Sequence, residues 1–387
     1  MLFYKKPNRE NKFSSKEDLE YSLGAALYMP ATRDDISHII ASKKYEFIRT
    51  YVICLEDAIS SDEVEKAEES LIFQFKKLKE MIEKKEMKKE ELPFLFIRPR
   101  SADYLKRLLP KIREYRDLFL GFVLPKFEEK NALKYLEFLK EEVEYLEKPY
   151  YIMPIIESEC FIYKETRFKS FEYINEILKP YKDWVLNIRI GATDLSSHYG
   201  LRRGRDVSVY DIGIVGECIC DIVNYFSRRG NDYVISGPVW EYFDNDERLL
   251  KPQLRETPFN EMNIESGLEL RRKYIRKNID SLIREVILDK NNGMIGKTII
   301  HPSHGIIINA LYSVSKEDYM DALSILEIED KGGVIRSSYL NKMNEVGPHA
   351  NWAKKIMKRA DAYGVLNDHV DQIAYIVNLV ESSNVKI

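Results

Sequence analysis

VLNIRIGATDL, residues 185–195, decides the fold. Residues 185–190 are nearly all apolar and of strand length, and Gly191, Ala192 and Thr193 follow at once, ahead of Asp194. A short apolar run closed by small residues reads as a buried strand of a parallel sheet. A carboxylate at the end of such a strand is costly unless its charge is used. In a barrel of eight parallel strands, that end is the face that carries the chemistry. Asp194 also reads as the N-cap of a following helix, with Ser196 and Ser197 beside it. The stretch alone leaves both readings open, and its recurrence along the chain favours the first.

Outward from it, seven other runs have the same form. Residues 23–29 are closed by Pro30, 51–55 end in Glu56 and Asp57, and 94–97 end in Arg98, Pro99 and Arg100. Residues 118–124 end in Pro125 and Lys126, and 151–156 end in Glu157. Residues 233–235 end in Ser236, Gly237 and Pro238, and 297–300 end in His301 and Pro302. Segments of helical spacing lie between them, among them 34–44, 62–89, 131–146 and 266–288. The Lys/Glu face of the second is most simply a solvated exterior. Eight alternations predict an α/β protein, a (β/α)8 TIM barrel over residues 1–309 with a charged insertion at about 240–265. An open doubly wound sheet would announce itself by a glycine-rich turn after the first strand, and no G-x-G-x-x-G occurs there. Residues 310–387 read as a C-terminal helical extension. Its apolar faces (Leu323, Ile325 and Leu326; Trp352, Ile356 and Met357; Ile373, Ile376 and Val377) require burial, either on the chain's own barrel or on a neighbour.

At 387 residues the chain has room for a barrel of about 250 residues and more. Hydrophobic residues at 44% and charged residues at 32% describe a globular protein, and a net charge of −3 gives no bulk attraction to nucleic acid. No apolar stretch nears the ~20 residues of a membrane span, and the first residues are polar, so a cytoplasmic location is expected. Cys54, Cys160, Cys218 and Cys220 lack zinc-ligand spacing; the last two sit in an apolar run, as small core residues do.

The strand ends together offer Glu56, Asp57, Arg98, Arg100, Lys126, Glu157, Asp194 and His301. Glu157 and Asp194, on neighbouring strands, can meet one hard cation while leaving positions to water and substrate, which is how Mg2+ binds. Arg98 can hold a carboxylate or carbonyl oxygen in a planar grip. His301, before Pro302, serves equally as a site residue or a hydrogen bond on the barrel rim. Arg202, Arg203 and Arg205 beyond the sixth strand divide between solvated surface and anion contact. His198, His304 and His349 read as loop residues facing water.

LYMPATR (27–33), CLEDAIS (54–60), FIRPR (96–100), GFVLPKFE (121–128), IIES (155–158), GATDL (191–195) and GKTIIHPS (296–303) come in that order. The series resembles the HpcH/HpaI aldolase and citrate lyase β-subunit family. By that resemblance Glu157 and Asp194 match its magnesium-binding acids. Arg98 matches the arginine that grips the substrate, and Glu56 and Asp57 match the pair that orders water about the metal. KMNEVGPHANWAKKI (342–356) is similar to the segment whose acid reaches a neighbouring subunit's site, with Glu345 the nearest match. Arg100 stands where relatives cleaving acyl-CoA esters have asparagine. The arginines after strand six and the long insertion look closer to a lyase-like subgroup associated with tellurite-resistance and stress gene neighbourhoods.

The resemblance implies a magnesium-dependent carbon–carbon lyase or aldolase, acting through an enolate on a small oxo- or hydroxy-acid or its thioester. Arg98, Arg100, Lys126, Arg202, Arg203 and His301 would bind a small anionic substrate, a CoA thioester or a phosphorylated acid. Arg98, Glu56, Asp57 and Glu345 would act in catalysis, in a homo-oligomer without nucleic-acid or membrane partners. Thioester hydrolysis on the same barrel and a non-catalytic metabolite-binding subunit are the competing expectations.

Overall fold

The computed structural model describes residues 2–8, 10–143, 148–243 and 279–382. Eight strands close into a barrel in chain order: β1 (Ala25–Pro30), β2 (Thr50–Cys54), β3 (Phe94–Arg98), β4 (Gly121–Leu124), β5 (Tyr151–Ile156), β6 (Ile188–Ile190), β7 (Ile235–Trp240) and β8 (Lys297–Ile299). Every neighbouring pair is parallel. A helix follows each strand: α1 (Ile36–Ala41), α2 (Val64–Glu83), α3 (Ala102–Ile112), α4 (Ala132–Val143), α5 (Lys164–Leu178), α6 (Gly213–Phe226), α7 (Ile279–Asn291) and α8 (Ser303–Leu311).

Alternation along each strand sorts the side chains into two layers. Val52, Phe94, Phe96, Val123, Met153 and Ile155 fill the barrel interior. Leu27, Ile53, Ile97, Leu124, Ile156 and Ile190 point outward and pack against the helices. Helix α2 shows why the helices lie where they do. Its buried residues Ala67, Leu71, Phe75 and Leu78 recur at helical spacing, with charged residues between them.

The seventh strand corrects its sequence reading. It begins at Ile235, where the strand was expected to end, and continues through Ser236, Gly237 and Pro238 to Trp240. Glycine and proline ordinarily punctuate strands, but here the β7–β8 register shifts between Gly237 and Trp240. Proline, which lacks a backbone donor, is tolerated at such an irregularity. The residue that leaves the strand is therefore Glu241. The fourth strand starts at Gly121, three residues later than expected. The predicted insertion after Trp240 lies almost wholly outside the described residues, as does the first part of the helix predicted over 266–288; from Ile279 onward that helix is present as α7 and runs on to Asn291.

The extension folds onto its own chain. Helices α9 (Lys316–Glu327) and α10 (Val346–Tyr363) pair around Val314, Ala322, Ile325, Val346, Ala353 and Ile356, while α11 (Gln372–Ser382) packs on α8 and sends Ile373 and Ile376 into the main core. The expected apolar faces thus find burial without a neighbour. Leu19 of an N-terminal helix (Lys16–Ser22) joins the barrel-interior cluster with Leu23, just before β1, so this helix closes the amino end of the barrel. Helix α10 lies against it. Phe3–Lys5 pairs antiparallel with Val365–Leu366, and Val365 also bridges to Val314. The α9–α10 pair therefore springs from the amino end. Between them, the strands Val334–Arg336 and Met343–Glu345 form a small hairpin whose loop folds back on the start of α9, with Lys342 2.9 Å from both Glu317 and Asp321.

Candidate active site

At the carboxyl end of the barrel, a cavity of about 280 Å³ is lined by residues from seven of the eight strands or their loops, including Tyr28, Asp57, Arg98, Glu157, Arg189, Asp194, Glu241 and Thr298. Arg98, the last residue of β3, meets three of the acids there. One Nη2 lies 2.6 Å from Glu56, 3.0 Å from Asp57 and 3.6 Å from Glu157. Burial alone would depress the guanidinium's pKa, yet the charge of Glu157, with Tyr28 and Glu56, holds it raised. Arg98 stays a cation.

Lys126 joins the same cluster by an unusual backbone. Its φ of +48° is left-handed, a region a non-glycine residue occupies at some cost. The turn lets its N–H donate to Glu157 Oε1 at 2.7 Å while its Nζ donates to Glu56 Oε1 at 2.8 Å.

The acids differ in state. Burial pushes the Glu56 carboxyl up, whereas Asp57, despite burial, is held low by its contact with Glu56 and by Arg98. Glu157 is 2% exposed, and its pKa is pushed up to about 8: loss of water outweighs Arg98, and Asp194 adds repulsion. Asp194 sits in the first turn of a short helix (Ala192–Ser197), half-buried at the cavity wall. Between the two acids, Gly191 passes so close that a Cβ would overlap the side chain of Glu157.

The family model of the carbon–carbon bond lyases of the TIM-barrel fold matches residues 17–365. The chain belongs to this family. Among solved structures, CitE from Mycobacterium tuberculosis in complex with magnesium, acetoacetate and coenzyme A is similar over 88% of this chain and 99% of its own, with 16% identity and a TM-score of 0.54. A citrate lyase from Burkholderia xenovorans LB400 is similar over 91% of this chain and 94% of its own, at 14% identity and a TM-score of 0.57. No curated protein matches the sequence. These likenesses are likenesses of fold.

In this lyase-family chain, Glu56, Asp57, Arg98, Lys126, Glu157 and Asp194 converge as expected; the other candidates lie elsewhere. Arg100 donates to the carbonyl oxygens of Leu55 and Ile59, at 3.4 and 2.9 Å, and so holds the loop after β2. Arg203 is buried behind the cavity wall, 2.5 Å from Glu285 and 3.2 Å from Glu241, with Trp240 4.7 Å beneath it. Arg202 is exposed beside a small neighbouring pocket. His301 stacks on Phe243 with centroids 5.0 Å apart, its Nδ1 2.7 Å from Ser303 Oγ, outside the cavity lining. Glu345 is exposed on the hairpin between α9 and α10, outside the cavity lining. His304, expected to face water, is buried on α8.

Three lining residues escaped the sequence reading. Glu241 accepts from Thr193 Oγ1 at 2.6 Å and was hidden by the misplaced end of β7. Arg189 and Thr298 face the interior from β6 and β8 and meet at 2.6 Å. The signal for Arg189 was a charge inside an otherwise apolar strand.

Proposed function

We propose that the chain is a magnesium-dependent carbon–carbon lyase acting through an enolate on a small oxo- or hydroxy-acid or its thioester. The observation that carries this is one cavity shared by Glu157, Asp194 and the Arg98 guanidinium. Among the described residues, no group of three or more His, Cys, Asp or Glu side chains is arranged to enclose a metal. Two carboxylates are what Mg2+ needs, since it keeps waters and takes substrate oxygens for the rest. The buried Glu157 and half-buried Asp194 fit such a cation, which would favour the ionised form of Glu157 against the loss of water and the repulsion from Asp194 that now raise its pKa. The magnesium and acetoacetate in the Mycobacterium tuberculosis structure agree with this reading. A metal held by Glu157 and Asp194 would supply Lewis-acid polarisation of a substrate oxygen.

The chain's own groups account for the rest. Arg98, kept charged, receives the oxygen that gains negative charge as the carbon–carbon bond breaks. Glu56, pinned between Arg98 and Lys126, fixes their positions. Asp57 is half-exposed, lines the cavity and is held ionised, so it suits the removal of the hydroxyl proton, directly or through water. Glu345 does not line the cavity of its own chain. The hairpin exposes Val334, Leu340 and Met343 around it, and the mouth region exposes Leu201, Phe243 and Ile300. A homo-oligomer in which one chain's hairpin covers the next chain's mouth would join these surfaces and bring Glu345 to the site.

Calorimetric titration with MgCl2 tests the metal reading: Asp194→Asn loses the site while its circular dichroism is unchanged. Equal affinity in wild type and variant overturns it. Product analysis tests the reaction, because a lyase splits the carbon skeleton and a thioester hydrolase leaves it whole.

A further inference from the structure

Strand β6 carries Arg189 on its inner side, paired in register with Ile155 and Ser236. Glu157 lies two residues beyond Ile155, so Arg189 sits one side-chain layer deeper than the acids of the mouth. It is 2% exposed yet lines the same cavity. Its Nη2 donates to Thr298 Oγ1 at 2.6 Å and its Nη1 lies 3.8 Å from Met153 Sδ. Its Nε has no hydrogen-bond partner in the protein. No carboxylate among the described residues pairs with it. Its favourable polar neighbour is the Tyr28 hydroxyl, Arg98 is a cationic one, and the two guanidiniums share the ring of Tyr28, each 5.9 Å from its centroid.

The surroundings of Arg189 are polar on one side. Asn187, two residues earlier, leaves both amide atoms without a partner in the protein, and so does the hydroxyl of Ser236. The opposite side of the barrel is built from Val52, Phe94, Phe96 and Val123. A buried guanidinium without a counter-charge is strongly unfavourable, and unpaired buried amides and hydroxyls add to that cost. Desolvation accordingly pulls the Arg189 pKa down. A planar fork of donors at the foot of a cavity matches one chemistry well, that of a carboxylate.

We infer that Arg189, steadied by Thr298, is an anion subsite inside the barrel that takes the second carboxylate of the substrate, which is therefore a dicarboxylic oxo- or hydroxy-acid bound end-on between mouth and floor. The assignment of the first acid group to the mouth rests on the lyase reading above; the floor can be measured separately. Arg189 would then set specificity rather than carry out bond cleavage.

The test uses the full chain with MgCl2 and two stable probes, (S)-malate and (S)-lactate, which share a 2-hydroxy-acid head and differ by one carboxylate. Wild type is expected to bind malate at least tenfold more tightly than lactate. Arg189→Met should cut that preference below threefold by losing malate affinity, with lactate and magnesium affinities within twofold of wild type. Arg189→Lys should retain part of the preference. If Arg189→Met does not fold, Thr298→Val, which leaves the arginine without its anchor, should lower the preference at least threefold. Equal affinity of wild type for the two acids, no binding of malate, or equal loss of both in the variants overturns the inference. Magnesium binding without malate preference leaves the metal reading standing and removes the subsite; malate preference without magnesium binding does the reverse.

Discussion

At position 191 the backbone can carry a hydrogen and nothing larger. A Cβ there would stand 3.1 Å from Glu157 Cδ and overlap the atoms to either side of it. Gly191→Ala is therefore expected to cost about 1–3 kcal/mol of stability, as overpacking does, measured by denaturant titration. It should also raise the magnesium dissociation constant at least tenfold in calorimetry, because the carboxylate that must give way is the one assigned to the metal. A Gly191→Ala protein with wild-type magnesium affinity would remove Glu157 from the ligand set. The glycine was visible in the sequence as a strand-end residue, but its tight approach to Glu157 was not. Closeness across two strands depends on barrel stagger, which local pattern does not encode. Arg189 was legible in principle, since a charge within a buried run needs an explanation.

Among the elements, most of the eight strands were readable because strands buried on both faces are continuous apolar runs. The seventh failed because a bulge absorbs Pro238, and Glu241 was missed with it. A second hidden feature joins β8 to α7. Lys297 lies 2.9 Å from Glu285 and 2.6 Å from Asp289, all three fully buried. Lys297→Met should destabilise the fold by about 3–5 kcal/mol in denaturant titration, since it leaves Asp289 buried with only the Tyr210 hydroxyl among the described residues, while Glu285 keeps Arg203. Lys290, on the same helix, behaves oppositely. Burial, and then Arg359, lower its pKa to about 8 from an ordinary 10.5. Between those values the unfolded chain binds more protons than the folded one, so its contribution to stability rises with pH. Lys290→Met should raise the melting temperature at pH 7 and flatten the gain between pH 8 and 10.5. The carbonyl of Leu311 that Lys290 contacts keeps a donor in Gln372. A pH profile as steep in the variant as in wild type would refute this.

For the whole molecule, the amphipathic tail showed that burial was needed but not what supplied it; many surfaces satisfy an apolar stripe. The structure supplies it within the chain and leaves Glu345 exposed on the hairpin, outside the lining of its own cavity. Mixing Asp194→Asn chains with Glu345→Gln chains should restore measurable activity, because in a shared site one mouth can receive both intact groups. No recovery, with subunit exchange confirmed by mass spectrometry, would mean that each chain completes its site alone.

The pairing of Phe3–Lys5 with Val365–Leu366 has a consequence in time as well as in space. A chain emerging from the ribosome makes Phe3–Lys5 about 360 residues before Val365–Leu366 and must hold it unpaired over that interval. Contacts so distant along the chain carry a large closure entropy and form late. This strand pair thus forms last, and a nascent chain arrested before Val365 should show rapid amide exchange at residues 3–5 even where the barrel strands between them have already closed.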